Sequence, residues 1–222
     1  MLMNLFSMFD PSSYFMMSLN WIVIFLIFII FPVKYFYLNS MGQMSFKGLL
    51  SSVNSMFKDI SDSNYLGMTF VVVVTFIYLV VSNLLSLFPF IFTFTAHPLV
   101  TLGLGMTFWM SFFIMGWTKN FKNSAAHLVP QGSPLYLAPL MVMIEIISHL
   151  MRPFTLAIRL AANMMAGHLI ISLLSSISML SMFGFLNSFI FQSILLLLEF
   201  GVSVIQGFVF SILLLLYSLE YY

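Results

Sequence analysis

A nearly unbroken apolar stretch at residues 134–182 constrains this chain more than any other feature of its sequence. An α-helix rises about 1.5 Å per residue, so the stretch would measure roughly 70 Å as a single helix. The hydrocarbon core of a bilayer is only about 30 Å thick. The stretch must therefore break, tilt steeply or lie partly at the membrane interface, and Pro153 is the natural position for a kink.

The composition predicts an all-α, polytopic membrane protein with one integral membrane domain over residues 1–222. Hydrophobic residues make up 62% of the chain and charged residues 6%, whereas a soluble domain carries about 25% charged residues. The lipid bilayer is therefore an expected partner, and the lack of a basic cluster argues against nucleic acid. The chain has no cysteine, and its four histidines show no metal-ligand spacing, so we expect no disulfide, metal site or cofactor.

Hydropathy divides the chain into about five spanning segments, because a membrane helix needs about 20 apolar residues. These segments are 14–38, 65–88, 99–117, 134–182 and 186–217. Residues 42–60 carry apolar side chains at helical spacing and predict an amphipathic helix on the membrane surface. We also expect a polar loop around Lys122 and a turn at Gly184.

The lysines between the spans predict the orientation of the chain. Lys34, Lys47 and Lys58 follow the first span, and Lys119 and Lys122 follow the third. Short loops rich in Lys and Arg face the cytoplasm or its equivalent. The C-terminus is then expected on this positive side, and the N-terminus on the opposite side.

Charged and polar side chains interrupt the longest apolar stretch. On a helical projection of 100° per residue, Arg152 lies about 20° from Arg159, and both Glu145 and Asn163 lie about 40° from it. His168 lies about 180° away, so it faces a different neighbour. An arginine at the centre of a membrane helix costs roughly 3 kcal/mol on insertion scales, which makes Arg159 a functional candidate.

The last span carries a second polar stripe, which indicates a hydrated path or a partner helix rather than a lipid-facing surface. Its members fall within about 60° of one another on the helix; they are Gln192, Glu199, Ser203 and Gln206. In the second span, Asn83 fits either helix packing or channel lining. Asn163 could likewise serve as a hydrogen-bonding contact between helices.

Several charged residues also have a purely structural interpretation. Arg152 could extend its head group to the membrane interface, and Glu145 could neutralise Arg152. His149 fits a structural or interfacial position. Arg159 could form a buried ion pair with Glu199.

Two of these side chains have the chemistry of a proton relay and one does not. His168 exchanges protons near neutral pH, and Glu199 can pass them on if water reaches it. Arg159 never gives up its proton. It can instead hold a carboxylate by Coulomb attraction and block direct proton passage.

The two polar stripes resemble the signature of the a subunit (subunit 6) of F-type ATP synthases. The run IRLAANMMAGHLI matches the family's Arg–Leu–x–x–Asn–x–x–x–Gly core, and LLEFGVSVIQGFVF is similar to its last helix. The pairing of histidine at 168 with glutamate at 199 is typical of mitochondrially encoded members. The matching positions are Arg159, Leu160, Asn163, Gly167, Glu199 and Gln206.

The resemblance implies a proton-conducting stator subunit beside the rotating c-ring, together with other membrane-sector and peripheral-stalk subunits. It also implies that the last two helices form a tilted hairpin. Two offset half-channels would reach the ring, with Arg159 separating them and promoting deprotonation of the ring carboxylate. The residues implied for the intermembrane-space inlet are His168, Glu199, Asn163 and Gln206.

The resemblance further implies that Glu145 lies near the matrix-side outlet, while Arg152 receives no family role. The expected location is the mitochondrial inner membrane, with the N-terminus in the intermembrane space and the C-terminus in the matrix.

Other functions predict sequence features that differ from those of a proton-conducting stator subunit. A secondary transporter or a proton-pumping subunit of a respiratory complex predicts inverted repeats or broken-helix sites, and the sequence shows neither. A non-conducting structural subunit leaves the cost of inserting Arg159 unexplained. The sequence shows no nucleophile–base spacing, phosphate loop or metal motif, so the chain is not expected to be an enzyme on its own.

Overall fold

The fold is built from helices alone within the part of the chain that the structure describes. The computed structural model describes residues 6, 9–11, 18–25, 38, 40–61, 66–88, 91–119, 121–129, 136–178 and 182–221. Its α-helices are α1 Met41–Ile60, α2 Leu66–Ser86, α3 Pro98–Lys119, α4 Phe121–His127, α5 Ala138–Ser178 and α6 Met182–Tyr221. Short 3₁₀ turns occur at Leu19–Ile22 and Phe94–Ala96. The predicted all-α class is confirmed.

Four helices are long and apolar enough to cross a membrane among the described residues. They cover Gly67–Ser86, Pro98–Lys119, Ala138–Ser178 and Met182–Leu219. The predicted first span, 14–38, lies largely outside the described residues. The chain is thus a multi-pass membrane protein whose two longest helices are α5 and α6, with 41 and 40 residues.

Two local features differ from the sequence-based expectations. The expected polar loop is helical instead, because α3 continues to Lys119 and α4 begins at Phe121. The expected turn at Gly184 is also wrong, since Gly184 lies in the first turn of α6. The helix α5 continues through Pro153, where proline removes one backbone hydrogen bond, and the kink expected there stays a prediction.

The start of α1 follows from a capping box. Ser40 Oγ accepts from the backbone N–H of Gln43 at 3.4 Å, and Gln43 Oε1 accepts from the backbone N–H of Ser40 at 3.1 Å. These reciprocal bonds satisfy donors that the first helical turn leaves free. The helix ends at Ser61, whose backbone is extended.

Helices α2 and α6 pack closely in an antiparallel manner. A Cβ atom at Gly207 would lie 2.6 Å from Val80 Cγ2, and Asn83 Nδ2 donates to the backbone oxygen of Ser203 at 3.3 Å. Moving along α2 from Val80 to Asn83 therefore means moving back along α6 from Gly207 to Ser203. Small residues permit this approach in a bilayer, where helix association depends on packing.

Helices α3 and α5 also meet at a glycine. A Cβ atom at Gly105 would lie 3.4 Å from the backbone oxygen of Pro153 and 3.5 Å from Ala157 Cβ. Pro153 and Ala157 are both buried. Helix α3 therefore supports the middle of α5 on the face that holds its proline.

One aromatic side chain joins the amphipathic helix α1 to the bundle. Phe57 is fully buried, and its ring centroid lies 6.0 Å from that of Phe76 on α2 and 6.1 Å from that of Phe208 on α6. The Phe76 and Phe208 rings are also 6.1 Å apart. Aromatic rings at these separations attract one another in addition to burying apolar area.

We predict that Phe57→Ala releases α1 from the bundle, because truncating a buried phenylalanine costs about 3–5 kcal/mol. Protease cleavage between α1 and α2 in membrane vesicles should accelerate strongly. Met56→Ala is the matched control, since Met56 is 55% exposed and its truncation should leave cleavage unchanged. Equal cleavage rates in the two variants would contradict the anchoring role.

We also predict that Gly207→Ala lowers the thermal unfolding midpoint of the chain in detergent. The new Cβ would collide with Val80, whose branched side chain is stiff in a helix. Gly201→Ala on the same helix is the control, because nothing lies within 4 Å of a Cβ there. Replacing glycine by alanine favours the helical state by up to about 1 kcal/mol in both variants. A midpoint that falls in Gly207→Ala but not in Gly201→Ala therefore reports the collision with Val80.

Candidate functional site

The helices α5 and α6 form an antiparallel hairpin that carries nearly all the candidate residues. Gly167 contacts Glu199, and the guanidinium carbon of Arg152 lies 5.6 Å from the centroid of the Tyr217 ring. These two contacts are 15 residues apart on α5, from Gly167 back to Arg152, and 18 residues apart on α6, from Glu199 forward to Tyr217. The two helices therefore run in opposite directions. The length of this contact fixes the relative register of the two helices.

Glu199 occupies the space that a side chain at position 167 would fill. An ideal Cβ at Gly167 would lie 2.7 Å from Glu199 Cδ and 3.1 Å from Cγ, with Oε1 closer still. The carboxyl group therefore lies directly over the α5 backbone, beside His168. The glycine in the sequence motif is what makes room for it.

A cavity of about 320 Å³ lies between α5, α6 and the segment that joins α2 to α3. His168 and Ile171 line it from α5, Gln192 and Leu196 line it from α6, and Thr93 belongs to the connecting segment. A cavity of this size has room for several water molecules, and His168, Gln192 and Thr93 give its mostly apolar lining a few polar groups. Of the α6 stripe predicted from the sequence, Gln192 is the member that lines this cavity.

Several buried polar atoms on the elements that enclose this cavity have no hydrogen-bond partner among the described residues, although Glu199 does not itself line the cavity. They include His168 Nε2, Glu199 Oε2 and Thr93 Oγ1. Buried polar atoms in proteins nearly always have a partner in the protein or in ordered water. His168 and Glu199 do not hydrogen-bond to each other in the described structure.

Arg159 lies on a different side of α5, near the middle of that helix. It is exposed, as are Thr155, Ala162 and Ala166 on the same face. It has no hydrogen bond or ion pair within the described part of the chain. The sequence-based alternative of a buried pair with Glu199 is therefore not what the structure shows.

The N-terminal part of α5 holds a second group of polar residues. Glu145 Oε1 lies 3.3 Å from His149 Nε2, so the partner that the structure gives Glu145 is a histidine, whereas the sequence suggested Arg152. The sequence alone favours a structural or interfacial position for His149. The signal that could have identified this pair is the spacing of four residues, which places two side chains on the same face of a helix.

The remaining candidates are distributed over several environments. Asn83 and Ser203 are fully buried where α2 meets α6, and neither lines the cavity that holds His168. Their positions match the helix-packing interpretation of Asn83. Asn163 and Gln206 are half-buried.

The sequence matches known proteins along nearly its whole length. A family model described as ATP synthase A chain covers residues 14–218. Proteins named ATP synthase subunit a from Drosophila yakuba and Anopheles gambiae are each 42% identical to this chain, over 99% of it and 99% of their own lengths. The protein of that name from Locusta migratoria is 42% identical over the full length of both chains.

A match of this length and identity, on an all-helical membrane fold, shows that the chain belongs to the ATP synthase A chain family.

Proposed function

We propose that this chain is the proton-conducting stator subunit of an F-type ATP synthase, with two offset half-channels that lead to a rotating c-ring. The observation that carries the proposal is the exposure of Arg159 in the middle of a 41-residue membrane helix. A cation that faces hydrocarbon there would cost roughly 3 kcal/mol or more. A partner that presents a carboxylate removes this cost, and a ring of subunits with one membrane carboxyl group each is such a partner.

The small side chains around Arg159 suit a partner that moves past it. Ala162 and Ala166 share its exposed face and leave space for another helix to approach. Arg159 attracts each ring carboxylate in turn and favours its deprotonated state. Because Arg159 keeps its own proton, it cannot pass protons directly between the two half-channels.

The inlet is the cavity lined by His168 and Gln192. Its water would connect the unpartnered His168 Nε2 with Glu199 Oε2, and protons would move along this path toward the ring. Asn163 and Gln206, both half-buried on the hairpin, extend the polar path past Glu199. Ser203 and Asn83 support the path by joining α6 to α2.

The outlet lies toward the other end of α5, at Glu145. Along a helix, Glu145 and His168 are about 21 Å and 14 Å from Arg159 in opposite directions. A proton that enters near His168 therefore cannot leave near Glu145 without being carried past Arg159. One charge that crosses 100 mV is worth about 2.3 kcal/mol, which a direct leak would dissipate without turning the ring.

The proposed location is the mitochondrial inner membrane, with the N-terminus in the intermembrane space and the C-terminus in the matrix. The lysines between the spans then face the matrix. The proposed partners are the c-ring, other membrane-sector subunits and the peripheral stalk.

Replacement of Arg159 tests the proposed function directly. Arg159→Gln should abolish ATP synthesis driven by a proton gradient in liposomes that contain the reconstituted complex, because the ring carboxylate loses its cation. Arg159→Lys should retain only a small part of the activity, since lysine lacks the planar head with several donors and can lose its proton when buried.

Thr155→Ala on the same exposed face is the control for disturbed packing, and it should assemble and synthesise ATP normally. Wild-type synthesis by the Lys variant would contradict a geometric role for the guanidinium. Wild-type synthesis by the Gln variant would overturn the proposed function.

Gly167→Ala should slow proton-driven ATP synthesis severalfold, because the new Cβ would displace the Glu199 carboxyl group. Glu199→Asp should partly restore the rate in the Gly167→Ala background, since aspartate withdraws the carboxyl group by one methylene. The initial rate of synthesis measures both effects, with Gly201→Ala as the unaffected control. No loss in Gly167→Ala would show that the position of Glu199 is not critical.

A further inference from the structure

The Glu145–His149 pair combines a buried imidazole with a partly exposed carboxylate. The side chain of His149 is 11% exposed and that of Glu145 is 33% exposed, with 3.3 Å between Nε2 and Oε1. The two residues are four positions apart, so their side chains extend from successive turns of α5. The histidine is thus held by the protein interior, while the carboxylate lies nearer the surface.

The surroundings of His149 restrict its movement. It belongs to the buried face of α5 together with Pro153 and Leu156. Gly105 of α3 packs against the backbone oxygen of Pro153, which braces this part of the helix. An imidazole fixed in this way can hold a neighbouring carboxylate in one orientation.

We propose that His149 is a positioning residue of the proton exit, which holds the Glu145 carboxylate ready to accept a proton. This inference rests on the proposed function, in which Glu145 lies at the outlet. His149 donates from Nε2 to Glu145 Oε1. Glu145 Oε2 then remains available to the arriving proton.

The proton balance of the exit step is simple. The O–H bond of the protonated ring carboxyl group breaks, and an O–H bond forms at Glu145 Oε2, directly or through one water molecule. Glu145 then releases the proton to bulk water and returns to the carboxylate. In this scheme the imidazole acts only as a hydrogen-bond donor, so the proton passes through the Glu145 carboxyl group alone.

Two roles of His149 can be distinguished by the residue that replaces it. A positioning role needs only a hydrogen-bond donor, whereas a relay role needs a group that gains and loses a proton. Glutamine places its amide nitrogen close to where the Nε2 atom of histidine lies, and it donates a hydrogen bond. It cannot carry a proton through the pH range of the reaction. Leucine fills similar space but donates nothing.

A double-mutant cycle in the reconstituted complex tests the proposal through gradient-driven ATP synthesis. His149→Leu should slow synthesis by about tenfold or more, in keeping with the loss of a hydrogen bond to a charged group, and His149→Gln should keep at least half the rate. In a Glu145→Gln background, His149→Leu should cause no further loss. Ser148→Ala is the control, because Ser148 donates to the backbone oxygen of Glu145 and not to its carboxylate.

Two results would overturn the positioning role. One is an equal loss from His149→Leu in the wild-type and Glu145→Gln backgrounds, which would indicate a purely structural histidine. The other is a His149→Gln variant as slow as His149→Leu. Arg159→Gln is measured in parallel: if it abolishes synthesis while the cycle is additive, the proposed function stands and only the role of His149 fails.

Discussion

The contact between Gly167 and Glu199 is the constraint on which the rest of the functional region depends. Two apolar helices in a bilayer gain little from hydrophobic burial against each other, so shape and small residues determine how they pair. A glycine at 167 lets the Glu199 side chain lie against the α5 backbone. That single register also brings Arg152 to the Tyr217 ring and opens the cavity between Ile171 and Leu196.

The hydroxyl groups on the membrane helices and the candidate residues His168 and Glu199 differ in how their polar atoms are satisfied. Along the membrane helices, hydroxyl groups donate to the carbonyl three residues earlier, as Thr75 does to Val72 at 2.9 Å and Ser203 does to Phe200 at 2.7 Å. Such local bonds allow polar residues to enter a bilayer at little cost. Histidine and glutamate cannot satisfy themselves in this way. The unpartnered atoms of His168 and Glu199 therefore call for water or for another subunit.

Sequence periodicity could predict what depends on one helix alone. The projection around Arg159 separated His168 from Arg159, and in the structure His168 lines a cavity while Arg159 is exposed. Hydropathy likewise located the long helices, whose ends differ from the predicted ones by a few residues. The contact between Gly167 and Glu199 depends on how two helices pair. It therefore cannot be predicted from the periodicity of either helix alone.

Contacts between helices also explain where the sequence-based interpretation was incomplete. Ser203 belongs to the same polar stripe as Gln192, yet it is fully buried against α2 while Gln192 lines the cavity. The stripe is continuous on α6, but its neighbours change along its length. The turn expected at Gly184 was wrong for a different reason. Glycine permits a turn but does not require one, and Gly184 lies within an apolar helix.

The continuity of α5 through Pro153 connects the two ends of the proposed proton route. The angles predicted between Glu145 and Arg159 hold only if the helix keeps its register across the proline, which cannot donate a hydrogen bond to the carbonyl of His149. Gly105 packs against that same turn of α5, and Ala157 and Leu160 continue the buried face beyond it. The neighbouring helix thus supplies the support that the backbone loses at Pro153. The position of Glu145, the proposed outlet residue, relative to Arg159 therefore depends on the packing of α3 as well as on α5.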